Sequence, residues 1–327
     1  MLPPHGDGRE QPRESAASAR RDSPMVIDLH IHTKTCSDGN LTIDKVFEEA
    51  HKRKISLLSI TDHDSVDCQE QAISLARRFG MDYITGVELN VTFDYQIGDG
   101  TAKHVSLDFL GYQYDIDNQE LKDKLQLMAR HREGRAREIL ERINAEFGRE
   151  GIERLTEQDM QRIQESVDGV FGRPHIADYL VKKGVAKDRQ EAFDKYLVRC
   201  NVPKYPLSLA EASRLIRNAG GLLVHAHPAD PNGTSLATIT HDLDEQTRII
   251  GRTMLDHIDG VECWHSRHDE KTTRHYVGFA ERHSLLMTGG SDCHQKPIIM
   301  GTLPIPEWVA DQFRSRTESR TGKFKGA

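Results

Sequence analysis

Two kinds of segment are missing from this chain: it has no CxxC pair and no long apolar run. Its five cysteines, Cys36, Cys68, Cys200, Cys263 and Cys293, are scattered and odd in number. That pattern reads as reduced thiols and points to a cytoplasmic protein. No hydrophobic stretch approaches the ~20 residues that cross a bilayer, so no membrane role is expected. The first 24 residues are polar and lack the apolar core of a signal peptide, and read as a disordered tail. An excess of positive charge is also absent. Lys and Arg number 44 against 51 Asp and Glu, a net charge of −7, which argues against an extended nucleic-acid surface but not against a pocket for a nucleotide. There is no G-x-S-x-G elbow and no Walker phosphate loop, so nothing points to a serine nucleophile or a phosphate-cradling glycine loop.

What the chain does have is histidine, 17 in 327 residues. In Leu29-His30-Ile31-His32 apolar and polar residues alternate with the period of a strand. His30 and His32 therefore share a face, with Cα atoms roughly 6.5 Å apart, and can grip one ion. Helix 42–54, strand 55–60, helix 68–79, strand 83–91 and strand 104–111 follow, a rhythm that reads as parallel α/β. From about 118 to 207 the rhythm gives way to long charged helical patterns, expected to form an insertion over the mouth of the α/β unit. Alternation resumes at 208. The expected organisation is a tail (1–24), an α/β unit (25–117 and 208–312) interrupted by the helical insertion (118–207), and a second tail (313–327).

Polar residues gather at the expected strand ends: His30, His32, Asp38, His63, Glu88, His104, His227, Asp292 and His294. So many donors at neighbouring strand ends would repel or desolvate one another without cations between them. They exceed one tetrahedral site, so two or three divalent ions are expected, with Glu88 suited to bridging. Mixed imidazole and carboxylate donors suit Mn, Zn or Fe.

Four motifs occur in order: His30-Ile31-His32, Thr61-Asp62-His63-Asp64, Ala226-His227-Pro228 and Gly290-Ser291-Asp292-Cys293-His294. Over residues 25 to 305 the chain resembles the polymerase and histidinol phosphatase (PHP) domain family. Gly172-Arg173-Pro174-His175-Ile176-Ala177 and Gly220-Gly221 are similar to its stand-alone bacterial phosphoesterases with a helical insertion. The resemblance implies a distorted (β/α)7 TIM-like barrel. It places one ion at His30, His32, Glu88 and Asp292, a second at Glu88, His104 and His227, and a third at Asp38, His63 and His294, with Glu88, Asp292 and His294 central to catalysis. His225 shares a strand face with His227 and is the weaker candidate; His265 reads as structural, Asp62 as a ligand-orienting carboxylate and Cys293 as a buried residue. Arg173, His175 and His268 are expected to contact substrate, since a guanidinium at a helix start suits phosphate. The expected activity is hydrolysis, by metal-activated water, of a small nucleotide such as a nucleoside 3′,5′-bisphosphate, or of short 5′-phosphorylated oligonucleotides. The alternatives are a histidinol-phosphate-type phosphomonoesterase and a non-catalytic metal-binding regulatory domain.

Overall fold

A computed structural model describes residues 24–96, 102–166, 173–203, 205–294 and 296–314. The chain begins as the alternation predicts. Strand β1 (Val26–Ile31), helix α1 (Ile43–Lys52), strand β2 (Ile55–Ile60), helix α2 (Gln69–Phe79) and the short strand β3 (Asp82–Tyr83) follow in turn. The strands form a parallel sheet in the order β1-β2-β3. Helix α1 buries Ile43, Val46, Phe47 and Ala50, the stripe its sequence spacing marks out. Helix α2 stops at Gly80, whose φ of 67° is the left-handed cap that glycine accepts at least cost.

The parallel rhythm then fails, which corrects the sequence reading. The segment expected as one strand, 83–91, is divided between β3 and a longer strand β4 (Gly86–Gln96) that belongs to another sheet. β4 pairs antiparallel with β5 (Ala102–Tyr112), and β5 pairs antiparallel with β6 (Leu222–His225). A parallel partner needs a crossover of about a dozen residues or more, and only residues 97–101 separate β4 from β5. Strands β7 (Gly260–His265) and β8 (Leu286–Gly290) complete a five-stranded sheet, parallel to β6. Helices α7 (Leu209–Asn218), α8 (Leu243–Thr253) and α9 (Glu270–Arg282) join these elements. The two sheets meet at both margins through single bridges, Ile31 to Cys293 and His63 to Glu88. Among the described residues they do not form one continuous closed ladder.

The insertion consists of α3 (Gln119–Glu150), α4 (Glu157–Ser166), α5 (Arg173–Lys182) and the short α6 (Arg189–Ala192), which runs on into a π turn. It has its own core around Ile143, Phe147, Ile163, Leu180 and Tyr196. Helix α3 serves both units. Leu121, Leu125 and Met128 pack in the core of the five-stranded sheet, and Ile139, Ile143 and Phe147 pack in the insertion. At the other end, the boundary expected at 312 falls inside a helix spanning 308–314, whose Phe313 is buried against Tyr112. The expected amino-terminal tail, apart from Pro24, and the segment beyond Arg314 lie outside the described residues.

One cysteine expectation is overturned. Cys36 and Cys68 form a disulfide, while Cys200, Cys263 and Cys293 are free and buried. The bonded pair is 32 residues apart in sequence, and only the return of the chain at the ends of β1 and β2 brings it together. The cysteines therefore give no support for a reducing compartment. No described helix is long and apolar enough to cross a membrane.

The junction of the two sheets depends on Gly290. A Cβ there would stand 2.3 Å from the backbone nitrogen of His30, because β8 and β1 pass in close contact. Gly290→Ala is expected to cost about 3 kcal/mol of stability, as in an overpacked core. Gly80→Ala, strained only by its left-handed φ, should cost about 1 kcal/mol. Urea unfolding of both variants checks this, and equal losses would show that the backbone contact is not tight.

Candidate metal centre and substrate cavity

β1 brings Asp28 and His30, and His32 just beyond its end, to one face. All three are at most 1% exposed. His30 Nε2 lies 3.1 Å from His32 Nε2, 3.2 Å from Glu88 Oε2 and 3.3 Å from Asp292 Oδ1. His32 Nε2 lies 3.1 Å from the same Glu88 oxygen and 3.3 Å from the same Asp292 oxygen. A regular tetrahedron with such edges puts every donor about 2.0 Å from its centre, the bond length of imidazole nitrogen and carboxylate oxygen on zinc. Glu88 Oε2 and Asp292 Oδ1 are buried and accept no hydrogen bond. His30 Nδ1 faces Glu262 Oε1 at 3.1 Å; the tautomer that donates there leaves Nε2 with its lone pair toward the centre. The donor set therefore fits a divalent ion.

Two further groups adjoin this one. Asp38 Oδ1 lies 3.2 Å from His294 Nε2, and Asp38 Oδ2 lies 3.9 Å from His63 Nε2; His32 is close by. On the other side, His227 Nε2 lies 2.9 Å from Glu88 Oε1 and 3.9 Å from Asp108 Oδ2. Glu88 thus borders all three groups, since His63 Nδ1 is 3.2 Å from its Oε2. His227 (φ 26°), Asp292 (φ 54°) and Asp64 (φ 47°) all hold positive φ. Such backbone costs a side chain of order 1 kcal/mol or more, and persists where surrounding structure over-determines it.

Electrostatics keeps the carboxylates ionised. Burial works to protonate Glu88, but the charges of His30 and His63 beside it and the hydrogen bond from His227 hold it well below the usual carboxylate range. Asp292 follows the same pattern: burial raises it, and His30, His265, His294 and His32 lower it further than that. Burial pulls His227 down, yet its hydrogen bond to Glu88 and the charges of Glu88, Asp292 and Asp108 push it up to about 10. His294 rises to about 11 through Asp292 and Asp38, against the effect of burial.

Eight of the nine expected donors come together; His104 does not. It sits on β5 opposite Asp94, both 71% exposed, with His104 Nδ1 2.6 Å from Asp94 Oδ1. Asp108 takes the place foreseen for it. The two are four residues apart on one strand face, roughly 14 Å at the rise of a β-strand. The sequence reading chose the histidine by residue type and misjudged where β5 meets the site. Glu262 was also missed. It is fully buried on β7, where it accepts from the backbone nitrogen of His227 at 2.8 Å and orients His30. A charged residue inside an apolar strand was the available signal.

His265, read as structural, is buried with Nε2 3.4 Å from Asp292 Oδ2, and Asp230 completes a fourth cluster there. Asp62 accepts from Thr33 N at 2.6 Å and Thr33 Oγ1 at 2.8 Å, and burial pushes it up to about 6; it braces a loop, not a donor side chain. His225 stacks on Phe109 away from the donors, and burial takes it down to about 3. Cys293 is buried, as expected.

Above the donors lies a cavity of about 1040 Å³, walled by the insertion on one side and the strand ends on the other. Arg173 and His175 line it, together with Arg132 and Arg135 of α3. His268 does not: its ring lies behind His265, with Nδ1 bonded to the carbonyl of Cys263 at 3.1 Å, so the expected substrate contact is corrected. Arg267 lines the wall in its place. Arg132 donates to Asp64, Asp64 accepts from the backbone of Asn90, and Asn90 Nδ2 donates to Asp108 at 2.6 Å. The insertion is thereby wired to the Glu88–Asp108–His227 group. Among the described residues Arg135 and Arg173 have no carboxylate partner. Arg135 donates to the Val202 carbonyl and the Asn201 side chain, and Arg173 lies over the Phe193 ring. Burial, followed by the charges of Arg173 and Arg132, lowers Arg135. Among the described residues of the insertion, those that line the cavity include no carboxylate.

The fold and this donor set define a metal-dependent phosphoesterase, a hydrolase. A family model described as PHP domain matches residues 28–198, and the chain belongs to that family. It is 30% identical over 276 residues to the 3′,5′-nucleoside bisphosphate phosphatase of Chromobacterium violaceum, covering 82% of this chain and 87% of the relative. It is 27% identical over 290 residues to the 5′-3′ exoribonuclease Rnm of Salmonella typhimurium, covering 86% and 89%. A Bifidobacterium adolescentis structure assigned as a metal-dependent phosphoesterase matches with a TM-score of 0.67 at 28% identity, over 89% of this chain and 96% of that one.

The exchange of His104 for Asp108 can be tested directly. Asp108→Ala is expected to cut turnover at least about 100-fold and to weaken metal binding. His104→Ala should stay within about twofold of the parent, as an exposed surface change does. Steady-state kinetics with a chromogenic phosphodiester decides, and the opposite ordering would restore the original assignment.

Proposed function

We propose that the protein hydrolyses the phosphate ester of a small nucleotide that carries a second phosphate, a nucleoside 3′,5′-bisphosphate being the simplest case. The observation that carries this reading is the opposition of two walls. Carboxylates and imidazoles converge on one side of the cavity, and on the other stand Arg135 and Arg173, which have no carboxylate partner among the described residues. One phosphate would lie at the donor groups, and its partner would lie against Arg135 and Arg173, with His175 beside them. A short 5′-phosphorylated oligonucleotide is the second reading. Cavity size favours it, since about 1040 Å³ is the upper end of ordinary ligand pockets, about 300–1,000 Å³.

His30, His32, Glu88 and Asp292 would hold one divalent ion, Glu88, Asp108 and His227 a second, and Asp38, His63 and His294 a third. Mn, Zn and Fe suit these donors. Ions bound there supply a water of lowered pKa and offset charge on the attacked phosphoryl group. The protein's own part is positional. Glu262 fixes the ring of His30, Asp64 holds Arg132 over the donors, and Glu88 keeps the three groups in register. The arginines would hold the non-reacting phosphate in ground state and transition state alike, and so raise affinity for a substrate that carries one. The barrel expected for this family would then be formed by the two sheets together.

Two measurements test the reading. Elemental analysis of the purified protein should find two or three transition-metal ions per chain. Adenosine 3′,5′-bisphosphate should exceed both adenosine monophosphate and histidinol phosphate in kcat/KM by at least about tenfold, the value of one buried charged contact. Arg173→Ala should erase that margin mainly through KM, whereas Glu88→Gln should act on kcat. A monophosphate hydrolysed as well as the bisphosphate would remove the second-phosphate site.

A further inference from the structure

The loop that carries Asp38 is cross-linked. It folds on itself through Ser37 N and Gly39 N, which donate to the Thr33 carbonyl at 3.1 and 3.2 Å. Its Cys36 is bonded to Cys68, the cap residue of α2. Asp38 stands two residues beyond Cys36, and the backbone nitrogen of His63 donates to Ser37 Oγ at 3.0 Å. The S–S bond therefore joins the loop that supplies Asp38 to the segment that follows His63. Cys68 is only 3% exposed, whereas Cys36 is half-buried and within reach of solvent.

We propose that Cys36 and Cys68 form a thiol–disulfide exchange site that governs how firmly Asp38 is held against His63 and His294. The co-reactant is a dithiol. Its thiolate attacks Cys36 Sγ, the accessible sulfur, forming a mixed disulfide and expelling Cys68 as a thiolate. The second thiol of the dithiol then displaces Cys36 and closes its own disulfide. Two electrons pass to the protein, and the two protons given up by the dithiol end on Cys36 and Cys68. The departing Cys68 thiolate lies at the first turn of an eleven-residue helix, where the helix dipole favours negative charge. Thr33 Oγ1 stands 4.0 Å from its sulfur. Reduction leaves the turn formed, because its backbone hydrogen bonds do not involve the sulfurs. It frees Cys36 from α2, so that Asp38 is aimed by hydrogen bonds alone.

The effect on Asp38 rests on the metal-centre reading above; the exchange itself does not, and the experiment separates them. The full chain, denatured without reductant, should show three reactive thiols, rising to five when the folded chain is first treated with a dithiol and the excess removed; a count that stays at three would overturn the exchange. Five thiols before reduction would overturn the bond. Mn²⁺ binding isotherms on the oxidised protein and on Cys36→Ser should then differ in one ion. Its affinity should fall about tenfold in the variant, as when a ligand loses an orienting partner, with the tighter ions unchanged. Cys68→Ser should reproduce the shift, and thermal unfolding should show both variants folded. Identical isotherms for the parent and both folded variants would overturn the control of Asp38. A parent that binds no Mn²⁺ would sink the metal reading and this control together, while the thiol count would still decide the exchange site.

Discussion

Much of this structure depends on the meeting of His30, His32, Glu88 and Asp292 around one largely buried point at the floor of the cavity. Taking carboxylates out of water is expensive unless charge of the opposite sign is fixed beside them. Here charge on the neighbouring histidines keeps Glu88 and Asp292 ionised in spite of burial, so the carboxylates stay negative only while positive charge stands beside them. Protons cannot serve both imidazoles well, because the two Nε2 atoms face each other at 3.1 Å and two N–H groups would collide. A shared cation resolves that conflict. The demand reaches into the scaffold: Gly290 lets β8 lie against β1, and Glu262 holds the back of His30.

The insertion faces this floor of carboxylates and imidazoles with a cationic wall. The chain as a whole carries −7, yet the face of α3 and the start of α5 turned to the cavity present Arg132, Arg135 and Arg173. Net charge therefore describes what the protein repels at a distance and says little about what it binds at close range. Because α3 packs in both cores, Arg132 and Arg135 are set by the same helix that anchors the five-stranded sheet. The path from Arg132 through Asp64 and Asn90 to Asp108 means that an anion drawing Arg132 away would alter the hydrogen bonding of a donor carboxylate.

Local pattern made part of this legible. The alternation at His30 and His32, the apolar stripe of α1 and the glycine stop of α2 are consequences of sequence spacing, and they hold. Eight of nine expected donors converge because most of them stand at or just beyond the ends of neighbouring strands, which lie side by side. The misses share another physical cause, distance along the chain. Whether β4 and β5 run parallel is decided by the length of their connection, and Cys36 meets Cys68 only after two strands have packed. Asp108 was passed over because it looks like one half of an ordinary alternating strand, while His104 looked like a ligand. Glu262 was passed over because its partners, His30 and the backbone of His227, come from β1 and the turn after β6.

The two HxH pairs show how tertiary bonding decides what a period of two can mean. His30-Ile31-His32 and His225-Ala226-His227 have the same spacing, and sequence alone gives both pairs a common face. Past Ile31 the extended chain continues to pair, for Ile31 bridges Cys293 and His32 N donates to its carbonyl, so His32 keeps its strand direction and stays with His30. Strand β6 ends at His225, and His227 takes a φ of 26°. The common face is lost there. His225 remains stacked on Phe109, while His227 swings to Glu88 with its backbone nitrogen bonded to Glu262. The spacing is thus a property of the sequence, but its reach is set by the neighbour that keeps the strand extended, and for the second pair that neighbour is replaced by a carboxylate that turns the chain.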